Sequence, residues 1–232
     1  MNNFTIIIPI FNESECIFVL LEEILGEYKG KKPEILIVND GSEDGFKKNE
    51  KFLKKKKIKI FHHSKNLGKC KAMETGVKNS SNDLICVMDG DGQNPPYEIK
   101  KFLNYWKNIE KNNTKFALIC GNRIKRKDTI FKKVSSLVAN KFRKFLLDDD
   151  CDDTACAFKM FRKNDYLKIN YFRNMHRFLP ALFKMHGGKI HNVMVNDRER
   201  FGGKSKFNFN NRFWVGIIDL IKVWILINKR RF

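Results

Sequence analysis

Paired cysteines are the plainest absence in this chain of 232 residues. Its six cysteines, Cys16, Cys70, Cys86, Cys120, Cys151 and Cys156, are scattered without a Cys-x-x-Cys pair, and several fall in apolar runs. That usage excludes a disulfide scaffold and predicts reduced thiols in a cytosolic setting. The five histidines form neither a His-x-x-x-His pattern nor a Cys/His cluster, which argues against a zinc site. His62 and His63 read instead as the end of a strand. No basic segment precedes an apolar core at the N-terminus, so no signal peptide is expected. The apolar C-terminal run falls short of the roughly twenty residues a spanning helix needs. No internal repeat or low-complexity linker is present. Acidic residues are also scarce: 26 Asp and Glu stand against 46 Lys and Arg, a formal net charge of +20. Such an excess suits a polyanionic partner, whether nucleic acid, an anionic membrane face or phosphorylated substrates. Charge alone does not choose among these. Much of it lies in runs such as Lys54-Lys55-Lys56-Lys57, which also read as plain solvated surface.

What is present is an alternation of apolar strands and helices. Phe4 to Pro9 reads as a strand, Glu15 to Tyr28 as a helix and Glu34 to Val38 as a second strand ending at Asn39-Asp40-Gly41-Ser42. Lys47 to Lys56 looks helical, Ile58 to His62 extended, Ala72 to Asn79 helical and Leu84 to Met88 extended again. Pro95-Pro96 opens a helix to about Glu110, since Pro is tolerated in a first turn. Phe116 to Cys120 reads as a strand leading into a basic loop, Gly121 to Lys127, followed by a helix from Phe131 to Leu147. After the acidic run Asp148-Asp149-Asp150-Cys151-Asp152-Asp153, Ala155 to Phe161 reads as a strand. The order predicts an α/β fold: a mostly parallel central sheet covered by helices on both faces, binding ligands at the carboxyl ends of its strands. The length suits one sizeable domain with a C-terminal appendage.

The strand Leu84 to Met88 delivers Asp89-Gly90-Asp91-Gly92-Gln93. Two carboxylates at a strand end, with a Gln side-chain oxygen, form a ligand set for a hard divalent cation that keeps positions open for substrate phosphates. The ligand this implies is a nucleoside diphosphate. Taken alone, the same residues also describe a solvated turn.

Other motifs fall in order around it. Pro9-Ile10-Phe11-Asn12-Glu13 follows the first strand, Val38-Asn39-Asp40-Gly41-Ser42-Glu43-Asp44 the second, and Asn66-Leu67-Gly68-Lys69 precedes a helix; Gln93-Asn94-Pro95-Pro96 closes the acidic turn. Together these resemble the inverting family 2 glycosyltransferases, most closely their polyprenyl-phosphate, dolichol-phosphate mannosyltransferase-like branch. The resemblance runs along essentially the whole chain. It implies a GT-A-type nucleotide-binding fold over residues 1–210.

The resemblance also implies roles. Pro9, Phe11, Asn12, Glu13 and Asp40 receive the nucleoside, and Lys69 and Arg200 serve the nucleotide sugar with Asp89. Asp89, Asp91 and Gln93 hold Mg2+ or Mn2+, which neutralises the departing diphosphate. Gly121-Asn122-Arg123 is similar to the family's Gly-Ser-Arg, and Arg123 can fork onto phosphate oxygens as a Lys cannot. Lys132, Lys133 and Ser136 are candidates beside it for the acceptor phosphate. Asp153-Thr154-Ala155-Cys156-Ala157 resembles an Asp-Thr-Gly-Cys-Gly motif with both glycines replaced by alanine. Met175-His176-Arg177-Phe178-Leu179-Pro180 resembles the segment beside the sugar. Arg200-Phe201-Gly202-Gly203-Lys204-Ser205-Lys206-Phe207 resembles a glycine loop that closes over the diphosphate, with Arg200 and Lys206 among its cations. Asp91, Asp153 and Arg123 are the catalytic candidates.

The implied reaction transfers a sugar from GDP-mannose or a UDP-sugar to a polyprenyl phosphate, whose phosphate is already anionic and needs positioning more than a base. A saccharide hydroxyl in cell-envelope polysaccharide synthesis is the alternative acceptor, for which Asp153 would be the base. A non-catalytic basic module binding polyanions is the alternative outside enzymes; the dispersed charge argues against a specific nucleic-acid partner. Phe213 to Ile227, within an expected appendage at residues 211–232, has Trp214, Trp224 and the basic Lys229-Arg230-Arg231 suited to an anionic membrane surface. The other reading is a helix that packs in a core, against a second copy or on a membrane protein. The expected location is the cytoplasmic face of the cell membrane, with peripheral attachment.

Overall fold

The computed structural model describes residues 3–30, 32–112, 114, 116–124, 141–202 and 209–229. Its centre is a seven-stranded sheet in the order β3-β2-β1-β4-β6-β5-β7. The strands are β1 (Phe4–Ile10), β2 (Glu34–Asn39), β3 (Lys59–His62), β4 (Leu84–Val87), β5 (Ala117–Arg123), β6 (Lys159–Arg162) and β7 (Lys189–Val195). All neighbours run parallel except β6, which is antiparallel to both β4 and β5. Ile7 of β1 sits between Leu36 of β2 and Val87 of β4, so the centre of the sheet is aliphatic in three consecutive strands.

The uniform hydrophobicity of β1 follows from its place: it is buried along its whole length, with a layer of helices on each side. Successive side chains alternate between faces. Ile6, Ile8 and Ile10 join a core with Leu20 and Ile24 of α1 (Ser14–Glu27), Leu53 of α2 (Glu50–Lys55) and Phe102 and Trp106 of α4 (Ile99–Lys111). Ile7 faces the opposite core with Met73 and Val77 of α3 (Lys69–Asn79), Leu182 and Phe183 of helix Leu179–Met185, and Leu220, Val223 and Ile227 of the C-terminal helix Phe209–Lys229.

Several boundaries differ from the sequence reading. Helix α3 begins at Lys69, three residues before the apolar pattern, because Gly68 adopts φ 92° and turns the chain directly into it. Gly121, Asn122 and Arg123 belong to β5 and not to a loop, since β7 pairs alongside as far as Arg123 opposite Val195. Residues 125–127 of that loop and 131–140 of the helix after it lie outside the described residues; 141–147 is helical. Only Lys159–Arg162 of the stretch after the acidic run pairs as a strand. Ahead of it the chain turns, with the Cys156 amide donating to the Asp153 carbonyl at 3.3 Å. The C-terminal helix starts at Phe209, earlier than its apolar run. Among the described residues no helix is long and apolar enough to cross a membrane.

Candidate active site

Parallel strands deliver their carboxyl ends to one edge of the sheet, and the antiparallel β6 begins at that edge. A cavity of about 450 Å³ opens there. β1 contributes Pro9, Phe11 and Glu13 to its wall, and β2 contributes Asp40. Lys69 and Cys70 come from the first turn of α3, and Asp89 and Asp91 from the turn after β4. Lys159 arrives on β6, and Arg173, Asn174, His176 and Arg177 from the segment ahead of helix Leu179–Met185. Arg200 follows β7. A second cavity, of about 620 Å³, lies among Phe4, Glu34, Lys55 and Lys57 and holds none of the motif residues.

Asp40 is buried and is hydrogen-bonded through both carboxylate oxygens. Its Oδ1 accepts from the Leu67 amide at 2.9 Å and its Oδ2 from the Gly68 amide at 2.8 Å, so the carboxylate shapes the loop that starts α3. Behind it, His63 Nδ1 meets Oδ1 at 2.6 Å while His63 Nε2 meets Thr75 Oγ1 at 2.9 Å. The sequence reading missed this support, because a histidine closing a strand says nothing about which neighbouring carboxylate its ring will meet. Gly41, at φ 76°, has no room for a side chain: a Cβ there would lie 2.5 Å from the Lys65 carbonyl carbon.

The acidic turn is surrounded by cations. Lys69 pairs with Asp89, and Arg200 Nη2 lies 2.8 Å from Asp91 while its Nη1 faces Glu13 at 3.6 Å. Burial, and then the charge of Asp89, push the Asp91 carboxyl above the ordinary carboxylate range despite Arg200 and Lys69. Two carboxylates that repel each other at the mouth of an anion-attracting cavity fit a divalent cation, which takes carboxylate, water and phosphate oxygens. Among the described residues no group of three or more His, Cys, Asp or Glu side chains forms a fuller metal shell. Gln93 is not part of the cavity wall; its amide donates to Asp91 Oδ1 at 3.0 Å and its carbonyl accepts from the Arg198 amide at 3.2 Å.

Arg198, which the sequence reading also passed over, anchors the chain after β7. Its Nε donates to the Gly92 carbonyl at 2.6 Å, and its Nη atoms reach both oxygens of Glu23 at 3.0 and 2.5 Å. The guanidinium stacks 4.3 Å from the Phe201 ring centre, and Phe201 occupies the space where Gly92 (φ 80°) lacks a side chain. This clamp presents Arg200 to Asp91. Lys206 and the rest of that loop from 203 to 208 lie outside the described residues, as do Lys132, Lys133 and Ser136.

Three of the remaining candidates sit off the cavity wall. Asn12 adopts φ 51°, donates its amide to Ser42 Oγ at 2.9 Å and accepts from the Glu43 amide at 2.8 Å, joining the loops after β1 and β2. Arg123 and Asp153 form a bidentate pair, Nε to Oδ2 at 2.6 Å and Nη2 to Oδ1 at 3.0 Å. Burial opposes the charge of Arg123, but Asp153 outweighs it and holds the guanidinium pKa above its ordinary value. The acidic run as a whole is matched by bases. Arg143 holds Asp149 at 2.6 Å, Lys184 reaches Asp148 and Asp150 at 2.9 and 2.6 Å, and Lys144 reaches Asp152 at 2.5 Å. Arg143 also donates to Thr154 Oγ1 at 2.7 Å and to the Cys151 carbonyl at 2.6 Å, which fixes the turn that carries Ala155 and Cys156 into the cavity.

The sheet order, its one reversed strand and the acidic turn at the carboxyl edge define a nucleotide-binding α/β domain of the GT-A glycosyltransferase type. The chain belongs to glycosyl transferase family 2, whose profile matches residues 5–169. Among curated relatives it is 26% identical over 217 residues to the undecaprenyl-phosphate 4-deoxy-4-formamido-L-arabinose transferase of Pectobacterium carotovorum, covering 90% of this chain and 64% of the relative. The corresponding transferase of Photorhabdus laumondii is 27% identical over 213 residues, covering 88% and 63%. The chain therefore spans less than two thirds of the length of these relatives. Among solved structures it resembles mannosyl-3-phosphoglycerate synthase from Rubrobacter xylanophilus, with TM-score 0.71, 12% identity and coverage of 98% of this chain and 75% of that one. It also resembles glucosyl-3-phosphoglycerate synthase from Mycobacterium tuberculosis crystallised with Mg2+ and uridine diphosphate, with TM-score 0.70, 13% identity and coverage of 97% and 79%.

Proposed function

We propose that this chain is an inverting glycosyltransferase that moves a sugar from a nucleotide sugar to the phosphate of a polyprenyl phosphate at the cytoplasmic membrane face. The observation that carries the reading is the Asp89–Asp91 turn flanked by Lys69 and Arg200 at the carboxyl edge of the sheet. Pro9, Phe11 and Asp40 take the nucleoside side of the cavity, and Lys69 and Arg200 leave their carboxylates for the diphosphate oxygens. Asp89 and Asp91 would then hold Mg2+ or Mn2+, which when bound supplies charge neutralisation to the leaving diphosphate. Binding energy here is directed at the charge that develops as the sugar–phosphate bond breaks.

The choice of acceptor rests on Asp153. A saccharide hydroxyl needs a base within reach of its proton, and Asp153 is tied to Arg123 by two hydrogen bonds and is not part of the cavity wall. A phosphate acceptor is already anionic and needs only to be held in line. The curated relatives are undecaprenyl-phosphate sugar transferases, which supports the same choice. In this reading the chemistry lies within residues 1–210, and the C-terminal helix Phe209–Lys229 lies on the membrane with Ile218, Ile221, Trp224, Ile225 and Leu226, all exposed, towards lipid.

Isothermal titration with GDP, UDP and their mannose and glucose conjugates, in Mn2+ and again in EDTA, tests the donor. Metal-dependent binding of one nucleotide, lost in Asp91→Asn, followed by sugar transfer to undecaprenyl phosphate, is the expected result. Folded protein that binds none of these with Mn2+ would sink the proposal.

A further inference from the structure

The cations around the cavity differ in what already neutralises them. Lys69 has Asp89, Arg200 has Asp91 and Glu13, and Arg123 has Asp153. Lys159 is buried against the carbonyls of Thr154 and Cys156, at 3.3 and 2.5 Å. Arg173 and Arg177 remain. Both line the cavity, and among the described residues neither guanidinium forms an ion pair; the buried Asp219 of the C-terminal helix acts on Arg177 only through space. The Nε of Arg177 is shut off from solvent and has no hydrogen-bond partner. A partly buried guanidinium with an idle donor is costly unless an anion completes it.

From this we infer that Arg173 and Arg177 form the acceptor's phosphate site, a guanidinium pair for a phosphate monoester, and that the acceptor's apolar chain leaves along the C-terminal helix. This rests on the transferase reading above but adds Arg173, which no sequence motif names, and gives Arg177, which the resemblance sets beside the sugar, a different role. Two planar forks can take the oxygens of one dianionic phosphate with paired hydrogen bonds, as ammonium groups cannot.

The segment that carries the pair is fixed at both ends. Met175 and Phe178 are buried in the core that also takes the C-terminal helix, and Asn174 turns the chain at φ 67°. Asn174 Nδ2 donates to Asp219 Oδ2 at 2.9 Å, tying the segment to that helix. His176, between the two arginines, is held by Cys70 at 3.0 Å, next to Lys69 on α3. The pair therefore stands between the donor side of the cavity and a helix whose outer face exposes Ile218, Ile221, Trp224 and Ile225. A lipid phosphate has this layout, with a charged head beside a long apolar chain. A water-soluble phosphomonoester shares only the head.

The test is direct binding, without donor, of a ten-carbon prenyl phosphate and of glycerol phosphate to wild type, Arg177→Gln, Arg177→Lys, the double variant Arg173→Gln/Arg177→Gln and Arg123→Gln. Wild type is expected to bind the prenyl phosphate. Arg177→Gln should bind about tenfold more weakly, since a hydrogen bond to a charged group is worth on the order of 1.4 kcal/mol or more. The double variant should fall further and Arg177→Lys should recover part of the loss. Nucleotide affinity and melting temperature should stay at wild-type values, which a merely structural role for Arg177 would not allow. Weak or absent binding of glycerol phosphate assigns the site to lipid; equal binding of both keeps the arginine pair and overturns the lipid path. Wild type that binds neither, a double variant that binds as wild type does, or loss confined to Arg123→Gln overturns the site. Arginine-dependent binding without sugar transfer would instead sink the transferase reading and leave the phosphate site standing.

Discussion

Removing the C-terminal helix should unfold this protein and not merely release it from a membrane. Leu220, Val223 and Ile227 are 9%, 1% and 7% exposed, and they pack in the same core as Ile7, Val77 and Leu182. Burying one such side chain contributes about 1.5–3 kcal/mol, so the three together contribute roughly 5–9 kcal/mol. That is comparable with the roughly 5–15 kcal/mol by which a whole domain is stable. The cut would also free Asn174 from Asp219. Chain ending at residue 210 is therefore expected to lose its cooperative thermal transition in circular dichroism. By contrast, Ile218→Ser/Ile221→Ser/Trp224→Ser changes only exposed positions, and should hold the melting temperature within about 2 °C while abolishing sedimentation with anionic liposomes. A truncated protein with a native-like transition would refute the packing argument. Unchanged liposome binding by the triple variant would refute the lipid-facing one.

Asp91→Asn should raise the melting temperature in EDTA at neutral pH. A carboxyl whose folded pKa is raised keeps its proton longer in the folded chain, so its ionisation costs stability as pH rises from the unfolded to the folded value; the amide removes that cost. Mn2+ should then stabilise wild type but not the variant in differential scanning fluorimetry, and a variant less stable than wild type in EDTA would contradict this. Glu34→Gln should cost about 1–2 kcal/mol at pH 7 in urea unfolding, allowing for solvent screening. Burial pushes the Glu34 carboxyl up, but bonds from Lys59, Thr5 and Ser81 outweigh it and hold the pKa at about 2. That stability is complete above the ordinary carboxylate pKa and fades as pH falls through about 2, so the two proteins should converge in acid; a constant gap would count against the account. His63→Ala should weaken nucleotide binding about tenfold in titration calorimetry by loosening Asp40 and the loop at Leu67 and Gly68, a loss on the order of one hydrogen bond to a charged group. Wild-type affinity in that variant would remove His63 from the site.

Much of the half of the sheet that carries the acidic turn could be read directly. β1, β2 and β4 are buried on both faces, so their sequences are mostly apolar runs, and the motif residues follow at their ends. β7 left no such trace: Lys-Ile-His-Asn-Val-Met-Val lies at the sheet's edge, largely half-exposed, and its polar residues hide the strand. The first turn of α3 was missed for a related reason, since Lys69 and Lys71 face the cavity and solvent and carry no apolar period. Asp40, Asp89 and Asp91 were identified because strand ends announce them. Their supports, His63 and Arg198, were not, because each acts across sequence separations that only the folded chain closes. The pairing of Arg123 with Asp153 is of this kind too, as it depends on β5 and β6 lying side by side.

The single reversed strand also has a consequence for how the chain is made. β1 to β4 are adjacent in the sheet apart from their order and are all complete by Val87, so the half that carries the acidic turn can assemble while the rest is still being synthesised. Its open flank is then β4, Leu84–Val87, whose partner Lys159–Arg162 emerges only much later. Until β6 arrives, an apolar strand edge is offered to any other nascent chain, which is the arrangement that favours misassembly. The distant pairing of β4 with β6 is therefore the step at which folding should be slowest and a ribosome-bound chaperone of most use.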